Sequence, residues 1–372
     1  MDDDPSARPD DLLSPVVRLR GPADILGVLP YRLGFHPTES LVVVCLEGPR
    51  RRDRLVMRLD LPPAVDEAAV AAELAERVAH VGASAAVVVL YTGARSRPRR
   101  GRLARSGLVR AVRQALDARD VALQEALLVV DGRWWSYLCH DPGCCPTSGT
   151  PLPARPTAAT VRYAAEAVAQ GETVLADRDA LRRSVEPSDH AVARAVREQA
   201  ALAAEQLLMA AGKDGAGPEG SRAVTTARLQ ALRGRWERGD RRLLPDDAAV
   251  VVLGLHDKTC RDAAMTAVLD DDAESLLDLL GALARQADDL DAAPVCTVLG
   301  WVAYARGNGA LAAVAAERAA RCEPGYAMAE LLLESMDRMV PPDHLRQISV
   351  AVRRDLGLDR SGEGEGEVRN AG

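Results

Sequence analysis

Aromatic residues are scarce in this sequence of 372 residues: Phe, Trp and Tyr together make up 3%, with one Phe and four Trp. Because large rings are so rare, the core has to be built from Ala, Val and Leu, which is typical of helical proteins. Lysine is nearly absent too, since Lys213 and Lys258 are its only occurrences. Such a preference for arginine indicates a GC-rich coding sequence more than a function specific to guanidinium groups.

The sequence also lacks the features of a secreted or membrane protein. No apolar run approaches the roughly 18 residues of a membrane-spanning helix. Residues 1–5 carry neither the basic nor the apolar region of a secretory signal. We therefore expect a cytoplasmic protein with no membrane partner. In that compartment cysteines are reduced thiols, metal ligands or redox switches rather than structural disulfides.

An excess of basic charge is missing as well. The chain carries 47 Lys and Arg against 54 Asp and Glu, for a formal net charge of −7, and its pI is near 5.5. A protein that coats nucleic acid needs the opposite balance. Nucleic acid is therefore not an expected partner.

The residue pattern changes near residue 156. Before it, short β-branched runs alternate with helical patterns, which predicts an α/β domain with a mixed sheet covered by helices. After it, nearly every segment has helical periodicity and an Ala-rich composition, which predicts an all-α domain. The predicted organisation is a disordered acidic tail (1–15), an α/β domain ending in a Cys-rich loop (16–155), an all-α helical domain (156–357) and a second disordered tail (358–372).

One segment of the helical half resembles a tetratricopeptide unit, a helix-turn-helix repeat of about 34 residues. The residues that match its pattern are Leu299, Gly300, Gly307, Ala312, Ala319 and Pro324. No second copy follows in good register, and stable arrays need about three units. We therefore predict a single tetratricopeptide-like helical hairpin within a larger bundle.

Three of the seven cysteines lie within one loop, at residues 139–145. Cys139, Cys144 and Cys145, with His140 beside them, offer enough sulfur and nitrogen donors for a tetrahedral zinc site, although two adjacent cysteines would bind one ion awkwardly. A redox pair would instead join Cys139 to Cys144 or Cys145. In the third interpretation, small thiols pack beneath a turn shaped by proline and glycine. All three remain open at this point.

The same segment begins with two adjacent Trp, and strand alternation over the predicted strand 133–139 places them on opposite faces. Trp134 then lies in the core, whereas Trp135 and Tyr137 face outward. An outward pair of rings predicts either a ligand platform or a surface on which the helical domain docks. We favour docking, because that domain begins shortly afterwards.

An arginine-rich loop, residues 95–105, follows the predicted third strand and precedes a helix. Phosphate can bind at such a position, against backbone N–H groups and guanidinium forks, here those of Arg95, Arg99, Arg100 and Arg102. No Gly-rich nucleotide-binding motif is present. The alternative is a solvated basic loop. The turn at residues 34–40 also gathers His36, Glu39 and Ser40, but it leads into a strand, whereas open α/β sheets bind ligands beyond the carboxyl ends of strands.

Three motifs in order give the sequence a resemblance to a known family. They are PYRLGFHPTESLV at residues 30–42, WWSYLCHDPGCCP at 134–146, and GWVA at 300–303 with PGY at 324–326. Together they resemble the bacterial domain-of-unknown-function family numbered 4192. The resemblance implies a cytoplasmic protein of high-GC Gram-positive bacteria. It implies no activity, so no functional residues carry over from it.

These observations favour a protein that binds or scaffolds a protein partner through its helical domain. One alternative is an enzyme or phosphate-ligand binder that uses the loop at residues 95–105. Another is a metal or thiol sensor that uses residues 139–145, with zinc as the candidate cofactor. The sequence leaves open whether the protein is an enzyme, and what its oligomeric state is.

Overall fold

The computed structural model describes residues 17–98, 102–169, 173–187, 189–270 and 273–358. The described residues up to Arg178 form one compact unit, and those from Asp179 onward form a second. The domain boundary expected near residue 156 remains a sequence-based prediction. The helix that follows it (Ala158–Ala169) packs against the first helix of the sheet unit, where Thr160 contacts Gly27 and Tyr163 approaches Tyr31 with ring centroids 6.2 Å apart.

The first unit is a mixed six-stranded sheet with helices, as predicted. Its strand order is β2-β1-β3-β4-β5-β6, in which only β3 and β4 are parallel neighbours. The elements are α1 (Pro22–Leu33), β1 (Ser40–Glu47), β2 (Arg52–Asp60), α2 (Glu67–His80), β3 (Ala85–Thr92), α3 (Ser106–Asp117), β4 (Ala122–Val130), β5 (Arg133–Ser136), β6 (Thr150–Pro151) and α4 (Ala158–Ala169).

Central strands of this sheet read as unbroken apolar runs because both of their faces are covered. Residues 41–45 of β1 and 85–90 of β3 are all buried. Helix α3 covers part of the sheet with one apolar face, formed by Leu108, Val109, Val112 and Leu116. Full burial of each such Leu or Val contributes about 1.5–3 kcal/mol of hydrophobic free energy.

The second unit is entirely helical in its described residues. Its helices are α5 (Arg178–Arg183), α6 (His190–Gly212), α7 (Pro218–Glu237), α8 (Pro245–Gly254), α9 (Lys258–Thr266), α10 (Ala273–Gln286), α11 (Ala292–Ala305), α12 (Gly309–Cys322), α13 (Ala327–Asp337) and α14 (Pro342–Asp355). None of the helices described in either unit combines the length and apolar content that crossing a bilayer requires.

Helix α11 forms the centre of this unit, since all its residues except Tyr304 are buried. It turns into α12 through Gly307, whose φ of 84° favours glycine, and Asn308 caps α12 by accepting from the Leu311 N–H. Gly300 permits close packing, because a Cβ there would lie 3.2 Å from the Ala312 carbonyl oxygen. A helical hairpin is therefore present, and its likeness to a tetratricopeptide repeat remains a prediction.

Candidate metal centre

The cysteine loop begins where β5 ends. The Ser136 hydroxyl accepts the backbone N–H of Leu138 at 3.1 Å and of Cys139 at 3.0 Å, and it donates to Glu125 Oε1 at 2.7 Å. Ser side chains that bind nearby amides compete with strand pairing. For that reason β5 stops at Ser136, and the prediction of a strand that continues to Cys139 is wrong.

Asp141 then turns the chain back on itself. Its carboxylate accepts the Gly143 N–H at 2.8 Å, as in an Asx turn, and its carbonyl accepts the N–H groups of Cys144 at 3.2 Å and Cys145 at 2.7 Å. Because one carbonyl holds two successive amides, Cys144 and Cys145 are brought back toward Cys139.

The three thiols converge as a result. The Sγ atoms of Cys139, Cys144 and Cys145 all lie within 4.8 Å of one another, and those of Cys144 and Cys145 are 3.9 Å apart. None of the three is in a disulfide. Cys144 is exposed, and the other two are half-buried. The structure thus forms a cluster of three free thiols on a surface loop.

One of these spacings matches the distance that zinc requires. Zinc–sulfur bonds are about 2.3 Å long, so two thiolates on one tetrahedral ion lie about 3.8 Å apart. The 3.9 Å between Cys144 and Cys145 meets that distance, so their adjacency in sequence is no obstacle. His140 is exposed and does not belong to the group. No further His, Cys, Asp or Glu among the described residues joins the three sulfurs.

Their surroundings make Cys139 and Cys145 unequal as thiols. The Asp141 backbone N–H, followed by the Cys145 and Cys144 thiols, lowers the pKa of Cys139, whereas burial, followed by hydrogen bonding to its two neighbours, raises the pKa of Cys145 to about 12. A thiolate is the form of cysteine that ligates metals. Of these two sulfurs, Cys139 is therefore the better prepared to bind a metal ion.

The loop packs over Trp135, which is only 8% exposed. The indole N–H of Trp135 donates to the Thr147 carbonyl at 3.1 Å, and a Cβ on Gly149 would lie 2.4 Å from two ring carbons. The prediction that Trp135 faces outward is therefore wrong. Strand alternation does place it opposite Trp134, but the following loop covers that face too, and both rings are buried.

Tyr137 links the cysteine loop to the arginine-rich loop. Its hydroxyl donates to the Ala104 carbonyl at 2.5 Å, and burial raises the pKa of this phenol above its usual range. Ala104 precedes Arg105, which contacts Glu67 at 2.8 Å and donates to the Pro62 carbonyl at 2.9 Å. Tyr137 is thus held against its own chain.

The predicted anion site is only partly described. Arg95 and Arg102 are exposed, and Arg97 pairs with Asp131 at 2.7 Å. Arg99 and Arg100 lie outside the described residues. The anion-binding role of this loop remains a prediction.

The sequence does not predict that the turn at residues 34–40 contacts the loop after β3. Since β1 runs antiparallel to β3, with Ser40 opposite Tyr91, the start of β1 lies beside the carboxyl end of β3. Glu39 Oε1 accepts the Gly93 N–H there at 2.5 Å. The topological reason for excluding this turn as a site is therefore wrong. Only the pairing of β1 with β3, which is non-local, could have shown this.

Comparison with known proteins identifies a family. A model of the family described as a domain of unknown function, DUF4192, matches residues 22–343. Neither a curated protein nor a solved structure matches the sequence. The matched region holds all three motifs that carried the resemblance, from residue 30 to residue 326. Because it spans nearly the whole chain, the protein belongs to the DUF4192 family.

Proposed function

We propose that the protein binds a thiophilic metal ion, zinc in the first instance, through Cys139, Cys144 and Cys145. The observation that carries this proposal is the convergence of their three Sγ atoms within 4.8 Å. Thiolate ligands select zinc and copper(I) over the hard cations magnesium and calcium. Zinc suits the cluster best, because a tetrahedral ion accommodates three sulfurs and one further ligand.

The loop around the cluster supplies part of what a metal site needs. The Asp141 amide reaches the Cys139 sulfur, and such hydrogen bonds orient and stabilise ligating thiolates. Three thiolates around one divalent ion give the site a net charge of −1, and the loop that carries the site is open to solvent. Water would complete the coordination.

Metal binding would have a local structural effect. One ion bound to all three cysteines would link two parts of the loop. It would connect Cys139, beside the end of β5, to Cys144 and Cys145, which precede Thr147 and Gly149. Those two residues cover the Trp135 ring. The bound ion would therefore hold the loop closed over Trp135, and it would stabilise the folded state in proportion to its affinity.

Competition with a chromophoric zinc chelator tests the proposal on the reduced full-length chain. We expect the wild type to hold about one zinc per chain, and Cys139→Ser, Cys144→Ser and Cys145→Ser each to weaken binding by at least about tenfold. Cys322→Ser is the matched control, because Cys322 is half-buried and lies outside the cluster. A wild type that yields all its zinc as readily as the triple variant would contradict the proposal.

A second candidate is the protein-partner function expected from the sequence. It is favoured by the apolar side chains that α6 exposes, with Leu202 at 54%, Leu208 at 72% and Met209 at 70%. Clustered exposed apolar residues are typical of interaction surfaces. If α6 binds a partner, changing all three residues to Glu removes a partner that the wild type recovers in a pull-down, while the helical content seen by circular dichroism is retained. Equal recovery by both proteins would exclude α6.

A further inference from the structure

We infer that the metal centre is a redox switch, in which a hydroperoxide oxidises two of the coordinating thiolates to a disulfide and the metal ion leaves. The disulfide joins Cys139 to Cys144 or Cys145. This inference rests on the proposed metal site and adds how that site is regulated.

The three sulfurs are close enough for two of them to form a disulfide. Sγ atoms within 4.8 Å of one another have to approach by no more than about 3 Å to reach the disulfide bond length of about 2.05 Å. The movement falls within a loop whose middle residues, 140–144, are all exposed. Side-chain rotation and a small loop adjustment are therefore enough, and the sheet beneath does not have to change.

The cluster is also open to solvent. Cys144 is exposed. The cluster offers three sulfur donors, so the fourth coordination position of a bound ion faces solvent or a weaker ligand. Structural zinc sites are closed by four protein ligands, whereas a site with three keeps an open position. A small oxidant can reach the sulfurs of such a site directly.

The remaining thiols are less suited to react. Cys45, Cys260 and Cys296 are buried, so an oxidant in solution does not reach their sulfurs. Burial, followed by the nearby Asp289 carboxylate, raises the pKa of Cys322. Oxidation follows exposure and needs a partner sulfur close by, so it is directed to the cluster, where exposed Cys144 has two further sulfurs within 4.8 Å.

Disulfide formation needs only the hydroperoxide as oxidant. One thiolate attacks the peroxide oxygen, the O–O bond breaks, and a sulfenic acid forms while the leaving oxygen takes a proton from solvent. A second thiolate attacks the sulfenic sulfur, the S–S bond forms, and the departing hydroxide is protonated to water. The two sulfurs lose two electrons, and the peroxide gains them. The zinc ion keeps its oxidation state and dissociates, because one thiolate is left to hold it.

The loop supplies a readout of this change. Cys145 precedes Thr147 by two residues, and the Thr147 carbonyl accepts the Trp135 indole N–H. A disulfide that repositions Cys145, or frees it from the metal, alters the cover of the Trp135 ring. Indole fluorescence depends on that cover, so the switch is observable at Trp135 as well as at the metal.

The test uses the full-length protein loaded with one equivalent of zinc and titrated with hydrogen peroxide. Zinc release is followed with a chromophoric chelator, free thiols are counted, and disulfides are mapped by peptide mass spectrometry. We expect release of the bound zinc with loss of two thiols per chain, a Cys139–Cys144 or Cys139–Cys145 disulfide, and recovery of zinc binding after reduction. Cys322→Ser should behave as the wild type does. Trp135→Phe should release zinc equally but lose the fluorescence change.

Failure of this inference differs from failure of the metal site. If the wild type never takes up zinc, the proposed metal site itself is contradicted. If zinc is bound but stays bound with all its thiols reduced at a few equivalents of peroxide, the switch is overturned and the metal site stands. Oxidation that ends in sulfinic acid, or in a disulfide elsewhere in the chain, likewise overturns the switch.

Discussion

Gly149 is the residue at which the backbone of the cysteine loop meets the Trp135 ring. Its φ of 77° lies in the left-handed region, and there is no space for a Cβ on that side. Both constraints act at the same residue, so a side chain there would disturb how the loop closes over the sheet.

We expect Gly149→Ala to lower the free energy of unfolding by about 2–4 kcal/mol, from left-handed backbone strain together with the steric clash. Gly143→Ala is the matched control, because its φ is not positive and its Cβ would meet only the Asp141 side chain, 3.3 Å from Oδ1. Urea denaturation followed by Trp fluorescence measures both. Equal stability of the two variants would contradict the described packing of Trp135.

Thiol accessibility gives a second prediction at this scale. Three of the seven cysteines are buried, which leaves four, namely Cys139, Cys144, Cys145 and Cys322. Raised pKa values keep the buried thiols protonated at pH 8, and the reactive thiolate appears only as the pH rises toward those values. In metal-free reduced protein at pH 8, these four thiols should react with a disulfide reagent, Cys145 and Cys322 more slowly than the other two because their pKa values are raised, and all seven should react after denaturation. Rapid reaction of Cys45 in the native protein would show that the sheet core is open.

The candidate metal residues could be named from the sequence because thiols are informative in any fold. Their convergence could not, since it depends on one carbonyl, that of Asp141, accepting two successive amides. Alternation along β5 correctly separates Trp134 from Trp135. It fails to predict that both are buried, because a sequence pattern shows which face a side chain takes but not what later segment covers that face.

Among the elements of the helical unit, α12 carries a buried charge that stabilises its neighbours. Arg318 is fully buried, and its guanidinium donates to the carbonyls of Ala284 at 2.6 Å and Ala287 at 2.9 Å, and also to that of Val185. These carbonyls lie at the ends of α10 and α5, where helices leave acceptors unsatisfied. A cation at a helix C-terminus is also favoured by the helix dipole.

Arg318→Met should therefore destabilise the helical unit by about 3 kcal/mol or more, because it leaves buried carbonyls without donors. Arg321→Met is the control on the same helix. Its ion pair with Glu186 at 2.7 Å is solvent-exposed, and such pairs contribute about 0–1 kcal/mol. Thermal unfolding followed by circular dichroism compares them. A cost below about 1 kcal/mol for Arg318→Met would mean that the buried contacts are not formed.

Element types and their order were largely predictable, whereas pairings were not. The β-α-β pattern predicts the parallel neighbours β3 and β4, and the tight turn at Asp131 and Gly132 predicts the antiparallel return into β5. Nothing local predicts that β1 lies between β2 and β3. That pairing joins residues about 45 positions apart and places Glu39 beside Gly93.

At the scale of the whole molecule, the chain comprises two compact units of similar length, and the cysteine loop belongs to the first. A ligand that binds only the folded form of one unit stabilises that unit by mass action. Metal at the cysteine loop should thus act on the sheet unit, and the helical unit provides an internal reference.

Removing metal with a chelator should lower the unfolding temperature of the sheet unit by about 5–10 °C, given zinc at about 100 times its dissociation constant and a unit of this size. The transition of the helical unit should not move. Differential scanning calorimetry with and without the chelator measures both transitions. A shift of the helical transition alone would place the metal outside the cysteine loop.

X-ray absorption at the zinc K edge tests the central claim most directly, because it reports the atoms bound to the ion in the full-length protein. We predict three sulfur ligands at about 2.3 Å and one lighter ligand at about 2.0–2.1 Å. The sulfur signal should be lost in the Cys139→Ser, Cys144→Ser, Cys145→Ser triple variant and retained in Cys322→Ser. A zinc shell made only of nitrogen and oxygen, or a sulfur shell unchanged in the triple variant, would contradict the assignment of the metal to this loop.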